Sequence, residues 1–190
     1  MLRLLSVILL LIVARIPAAA QDNIGIRYFG LSIHPKGEEE NAFLMPRRLD
    51  DEGYLVLNLG AVVSFEHFVV KDRLSVKVAQ ALYSDCAAMT GGFSHIGFRG
   101  TIFRSGRHAL SGGIGPTIVY RKNWQQLDGY KNRNRFRGGP GDTWQYLFLW
   151  YGGEFEYRNT INERLDLTTN FIPGYPDLMS LSVGVNYKFR

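Results

Sequence analysis

The segment LSVGVNYKFR, residues 181–190, alternates without a break. Leu181, Val183, Val185, Tyr187 and Phe189 fall on one side; Ser182, Gly184, Asn186 and Lys188 fall on the other. Successive side chains of an extended strand point to opposite faces, so the segment predicts a strand with one apolar face. The chain is expected to stop inside that strand, with an aromatic as its next-to-last residue. Such an ending suits a strand whose place in the fold is to close a sheet.

Period-2 segments bounded by turn residues recur back along the chain. They predict eight strands, near 24–34, 54–69, 73–84, 91–104, 107–121, 143–158, 161–172 and 177–189. Tight turns, VKD, SG and NT, join the second to the third, the fourth to the fifth and the sixth to the seventh. The other connections alternate with these, and two are long, near 35–53 and 122–142. No amphipathic helix is apparent. The 21 glycines and the 12 Phe, 10 Tyr and 3 Trp agree with strands and turns. Short turns at one end, longer loops at the other and an even strand count predict an all-β, eight-stranded antiparallel up-and-down transmembrane β-barrel.

Residues 1–20 read as a secretory signal peptide. Arg3 supplies the charge, Leu4–Val13 the apolar run and Ala18-Ala19-Ala20 the cleavage site. That run is about half the ~20 residues a membrane-spanning helix needs. Residues 21–190 are then one domain in an oxidising compartment, yet Cys86 is the only cysteine, so no intrachain disulfide can form. Removing Arg3 and Arg15 takes the formal charge from +5 to +3, too mild to argue for a nucleic-acid partner.

Alternation alone does not separate a membrane barrel from a soluble, lipocalin-like one whose apolar face turns inward. Tyr120, Tyr151, Tyr157, Tyr187 and Phe189 fall near strand ends on the apolar face, as the aromatic girdles of a membrane barrel do. The sixth segment is expected to carry Leu147, Leu149, Tyr151, Phe155 and Tyr157 on its apolar face. LSVGVNYKFR also resembles the C-terminal strand of small bacterial outer-membrane barrel proteins, where alternating apolar residues finish on an aromatic. Here Arg190 follows that aromatic. The resemblance implies an outer-membrane location in a diderm bacterium. It further implies that Tyr187 and Phe189 form a signal for the assembly machinery during insertion.

Eight strands enclose an interior that side chains roughly fill, so an open pore is not expected. The polar faces place Arg27, Glu66, Arg73, Lys77, His95, Arg99, Glu154, Glu156, Arg164, Asp166 and Lys188 in the lumen. Buried charges must be paired, so this set predicts a structural plug in preference to an acid–base site. Some eight-stranded outer-membrane barrels are lipid A deacylases or acyltransferases, which makes such an enzyme the runner-up. That chemistry needs a Ser beside a His. Ser94 and His95 are adjacent, and His108 and Ser111 are three apart, so each pair faces opposite sides. His34 is the remaining candidate to meet a loop serine. No metal-ligand spacing, Gly-rich phosphate loop or other cofactor motif appears.

The loop near 122–142 carries Arg121, Lys122, Lys131, Arg133, Arg135 and Arg137, and the loop near 35–53 carries Glu38, Glu39, Glu40, Asp50, Asp51 and Glu52. Arginine forks suit lipopolysaccharide phosphates or an acidic partner, and the two loops also suit each other. Phe43, Leu44, Met45, Trp124, Tyr130, Arg133, Arg135, Phe136 and Arg137 are the candidate contact surface, for which a small loop core is the competing reading. The expected function is a non-enzymatic outer-membrane barrel acting through its extracellular loops. It would be an accessory subunit of an outer-membrane assembly or an envelope-stabilising protein, with membrane lipid, lipopolysaccharide and other outer-membrane proteins as partners. A soluble periplasmic lipid-binding barrel is the third reading.

Overall fold

The computed structural model describes residues 22–35, 39–131, 135–174 and 178–189; the expected leader lies outside them. Eight strands follow in chain order: β1 (Asp22–Ile33), β2 (Leu55–Val70), β3 (Leu74–Ser84), β4 (Thr90–Ser105), β5 (His108–Lys122), β6 (Trp144–Thr160), β7 (Leu165–Gly174) and β8 (Leu178–Lys188). Each pairs antiparallel with its neighbour, and β8 pairs with β1, from Asn23–Lys188 to Ile33–Met179, closing the barrel. The C-terminal strand therefore does close the sheet.

The barrel is apolar outside and charged within. Ile26, Phe65, Val78, Phe98, Ile114, Leu167 and Val183 are exposed on the outer wall, Phe98 by 67 %. Arg27, Glu66, Lys77, Arg99 and Glu156 are buried. Water would punish that arrangement and hydrocarbon favours it. A soluble lipid-binding barrel has the reverse polarity, which counts against the third reading.

Three expectations need correction. The turn between β6 and β7 is Ile161–Arg164, one step beyond the predicted Asn159-Thr160, both of which still belong to β6. Arg164 is consequently not in the lumen, and neither is Arg73, which belongs to the β2–β3 turn because β3 starts at Leu74. They are exposed turn residues whose carbonyls accept from Thr101 N and Lys188 N, each at 2.8 Å. Finally, the predicted face of β6 holds only in its second half. The β5–β6 register slips between Gly115–Gly152 and Thr117–Leu149, leaving Trp150 and Tyr151 adjacent and both outward, 73 % and 72 % exposed. One extra residue reverses the phase of a strand. Below the bulge Phe155 and Tyr157 face out as expected; above it Leu147 turns inward and Phe148 outward.

Candidate functional site: charged floor, apolar chamber and loop roof

The half of the lumen near the short turns is filled by one charge cluster. Glu156 lies 3.0 Å from Arg27, 2.9 Å from Lys77 and 3.0 Å from Arg99. Glu154 lies 2.9 Å from Lys77 and 3.0 Å from Arg99, and Arg99 reaches Glu66 at 3.1 Å. Remaining carboxylate lone pairs accept from Ser75 (2.5 Å, Glu66), Asn170 (2.8 Å, Glu154) and Asn186 (3.3 Å, Glu156). Asp166 and Lys188 form a separate pair at 2.8 Å nearer the turn end. This is a plug of interlocked ions, each held by oppositely charged or polar neighbours, as buried ions require.

Sequence reading missed Arg158, which approaches Glu156 at 3.7 Å and Glu66 at 3.9 Å and donates to Ser111 at 3.1 Å. It was findable, because it continues the even-numbered face of Glu154 and Glu156. The amide Asn23 was also missed, whereas Asn170 and Asn186 keep the polar phase of their strands without being counted among the lumen residues; all three are buried.

His95 sits above the floor, its Nδ1 2.7 Å from the Thr117 hydroxyl. His67 pairs with Asp22 at 2.6 Å, and His108 meets the Tyr157 hydroxyl at 2.6 Å. None of these three engages a serine. His34 lines the chamber above.

Above the floor the lumen becomes more apolar, where a polar interior was expected throughout, although Asn58, Asp85, Arg121 and Ser182 also line it. Phe29, Val62, Ala79, Ala81, Tyr83, Phe93, Val119 and Leu147 form one buried cluster. Phe29 stacks on Tyr83 with ring centroids 4.4 Å apart. These residues leave a cavity of about 150 Å³ whose floor includes Arg27, His95 and Thr117 and whose roof includes Trp124 and Phe136. Sequence did not reveal it, since the inward apolar residues other than Leu147 lie in phase with the polar lumen residues of the same strands, and Leu147 turns inward only because of the slip in β6.

The two long loops build the roof. Asn41 and Lys131 exchange hydrogen bonds (Asn41 Nδ2 to Lys131 O, 3.0 Å; Lys131 N to Asn41 Oδ1, 2.9 Å), and Lys131 Nζ approaches Glu40 at 3.7 Å. Met45, Val56, Cys86 and Trp124 form a second buried core, with Tyr130 packed against it. Trp124 Nε1 donates to Asp85 at 2.8 Å, and Asp85 also accepts from the N–H groups of Ala87 (3.0 Å) and Met89 (2.8 Å). Burial pushes the Asp85 carboxyl above its ordinary value, against the opposing pull of those donors and Arg121. The Arg121 guanidinium lies 4.3 Å from the ring centres of both Trp124 and Phe136.

The predicted loop surface therefore divides. Met45, fully buried, and Trp124, 3 % exposed, are core and not contact surface. Tyr130 and Phe136 are half-buried and Leu44 is intermediate, whereas Phe43 (60 % exposed), Arg135 and Arg137 face outward. Arg133 lies outside the described residues. Loop apolar side chains that can reach one another bury themselves before they wait for a partner. Tyr187 and Phe189 lie on the outer wall, rings 5.4 Å apart, with Phe189 N donating to Asp22 O at 2.8 Å.

No protein-family model and no curated protein matches the chain. Among solved structures it is similar to the N-terminal β-barrel domain of Pseudomonas aeruginosa OprF. The TM-score is 0.51 at 13 % identity, over 90 % of this chain and 99 % of that one. Ail, the attachment invasion locus protein of Yersinia pestis, solved with the heparin analogue sucrose octasulfate, gives 0.49 at 12 % identity over 90 % and 99 %. At such identity the OprF likeness shows the fold alone: the chain has the architecture of a small eight-stranded outer-membrane barrel.

Proposed function

We propose that the chain is a non-enzymatic outer-membrane barrel that works through its long-loop end, as an accessory subunit of a larger outer-membrane assembly. The observation that carries this reading is the loop roof. The described parts of the two long loops are clasped through Asn41–Lys131, and Met45 and Trp124 share a buried core, so Phe43, Arg135 and Arg137 stand beside a preorganised base. A rigid platform loses little side-chain and loop freedom on binding. The lumen charges favour a structural role, because each lies against oppositely charged neighbours, four cations around Glu66, Glu154 and Glu156. Outer-membrane residence follows from the outward apolar wall together with a barrel, the architecture that leaves no strand edge in lipid.

The test is extraction of native membranes in mild detergent, followed by sizing and mass spectrometry of whatever travels with the chain. Osmotic shock alone is expected to release none of it. Stoichiometric partners, lost when loop 122–142 is exchanged for a Gly/Ser linker, are the expected result. Migration as a lone barrel in a micelle favours the envelope-stabilising role, in which Arg135 and Arg137 meet lipopolysaccharide phosphates.

A further inference from the structure

At the short-turn end the lumen widens into a polar cup of about 260 Å³. Its lining includes Asn23 of β1, Arg104 of β4, Arg158 of β6, Asp166 of β7 and Lys188 of β8. Strands from all round the barrel contribute, so the cup lies inside their ring, on the barrel axis, with the wall between it and lipid. Short turns face the periplasm in outer-membrane barrels. The lining residues Arg104, Gly106 and Arg107 are exposed, so the cup opens to that side.

The charges around the cup do not balance. Two pairs are closed, Arg104 with Asp72 at 2.7 Å and Lys188 with Asp166 at 2.8 Å. Two cations are left over. Arg107, in the β4–β5 turn, has no carboxylate within ion-pair reach among the described residues. Arg158 is only 8 % exposed and belongs also to the charge cluster above, where four cations meet three carboxylates. Arg27, Lys77 and Arg99 take the close contacts there, between 2.9 and 3.1 Å. Arg158 is left 3.7 and 3.9 Å from carboxylate oxygens, beyond hydrogen-bond reach. It donates to Ser111 at 3.1 Å, and its Nε has no hydrogen-bond partner among the described residues. The cation in excess is thus the one that lines the cup.

We propose that the cup binds a soluble, doubly charged oxyanion from the periplasmic side, a phosphate or a dicarboxylate, with Arg158 and Arg107 as its partners. A buried cation needs a counter-charge, and one dianion matches two uncompensated cations. Planar guanidinium forks pair with carboxylate or phosphate oxygens through two parallel N–H bonds, a geometry that a spherical halide does not match. The cup exceeds the ~150 Å³ that holds a benzene-sized molecule, so an oxyanion of several atoms fits. Its axial position selects a soluble anion over a phospholipid headgroup, which is anchored outside the wall.

The wild-type chain and the variants Arg107→Gln, Arg158→Gln and Arg73→Gln are refolded into octyl glucoside micelles, and folding is checked by heat-dependent gel mobility. Each is titrated with inorganic phosphate, and then with succinate, by calorimetry at low salt. The expected result is saturation at one anion per barrel, weakened about tenfold or more in Arg107→Gln by loss of a charge-assisted contact. Arg73→Gln removes the same charge from a turn at the same end that does not line the cup, and is expected to bind as wild type. Folded Arg158→Gln is expected to lose binding; if it does not fold, Arg107→Gln against Arg73→Gln decides. No saturable binding of either anion, unchanged binding by a folded Arg158→Gln, or equal affinity of Arg107→Gln and Arg73→Gln overturns the site. Equal affinity for chloride overturns the oxyanion assignment. Binding that disappears when phosphatidylglycerol is mixed into the micelles overturns the axial route in favour of a lipid headgroup.

Discussion

Glu156 has no exposure to solvent and three cations within 3.0 Å, so its charge is compensated only by the fold. Replacing it with glutamine keeps the shape and removes the charge, leaving Arg27, Lys77, Arg99 and Arg158 to share Glu66 and Glu154. Breaking a buried ion pair at one partner costs about 3–5 kcal/mol. Glu156→Gln is accordingly expected to lower the urea midpoint of the vesicle-bound barrel by that equivalent, whereas Arg164→Gln, in an exposed turn, is expected to leave it unchanged. Asp85 behaves oppositely with pH. Its carboxyl is raised above the ordinary value of about 4 by burial, so its stabilising contribution is complete below that value and fades as pH rises through the raised one. The roof should therefore loosen from acid towards neutral pH. Proteolysis at Lys131 is expected to quicken over that range, and the pH dependence, not the cleavage itself, should vanish in Asp85→Asn.

At the scale of the elements, what was legible in the sequence is what period-2 alternation encodes: eight strands, and the polar face of all but one. Arg27, Lys77 and Arg99 stand in the lumen because they keep phase with serines, glycines and alanines. Phase is lost wherever one residue is added, and no residue type announces the slip at Trp150-Tyr151; it is visible only from the partner strand. Arg73 and Arg164 were misplaced for a smaller reason, a turn displaced by a residue or two, the usual error of strand ends. The loop core was illegible because Met45 and Trp124 look the same in sequence whether they wait for a partner or face each other. The β6 slip depends on Gly152, where a Cβ would collide with the Thr117 hydroxyl, and Thr117 in turn holds His95. Gly152→Val is expected to destabilise the barrel by about 1–3 kcal/mol through overpacking, read as a reduced folded band on unheated gels. Gly153→Val, one residue on, should fold normally.

For the whole molecule, the interior is layered: ions near the short turns, hydrocarbon-like packing above them, then a lid of two loops. Each layer draws on strands far apart in the chain. Arg27 comes from β1, Glu66 from β2, Lys77 from β3, Arg99 from β4, Ser111 from β5, Glu156 from β6, Asn170 from β7 and Asn186 from β8. A sheet of six or seven strands, inserted across the bilayer before closing, would turn Glu156 and its cations towards hydrocarbon with their last partners still missing. Bare ions in that medium are heavily penalised. Partial insertion is thus the worst of the available states, and the charge cluster acts as a proofreader. An intermediate that enters the membrane unclosed carries that penalty in full, which couples entry to closure.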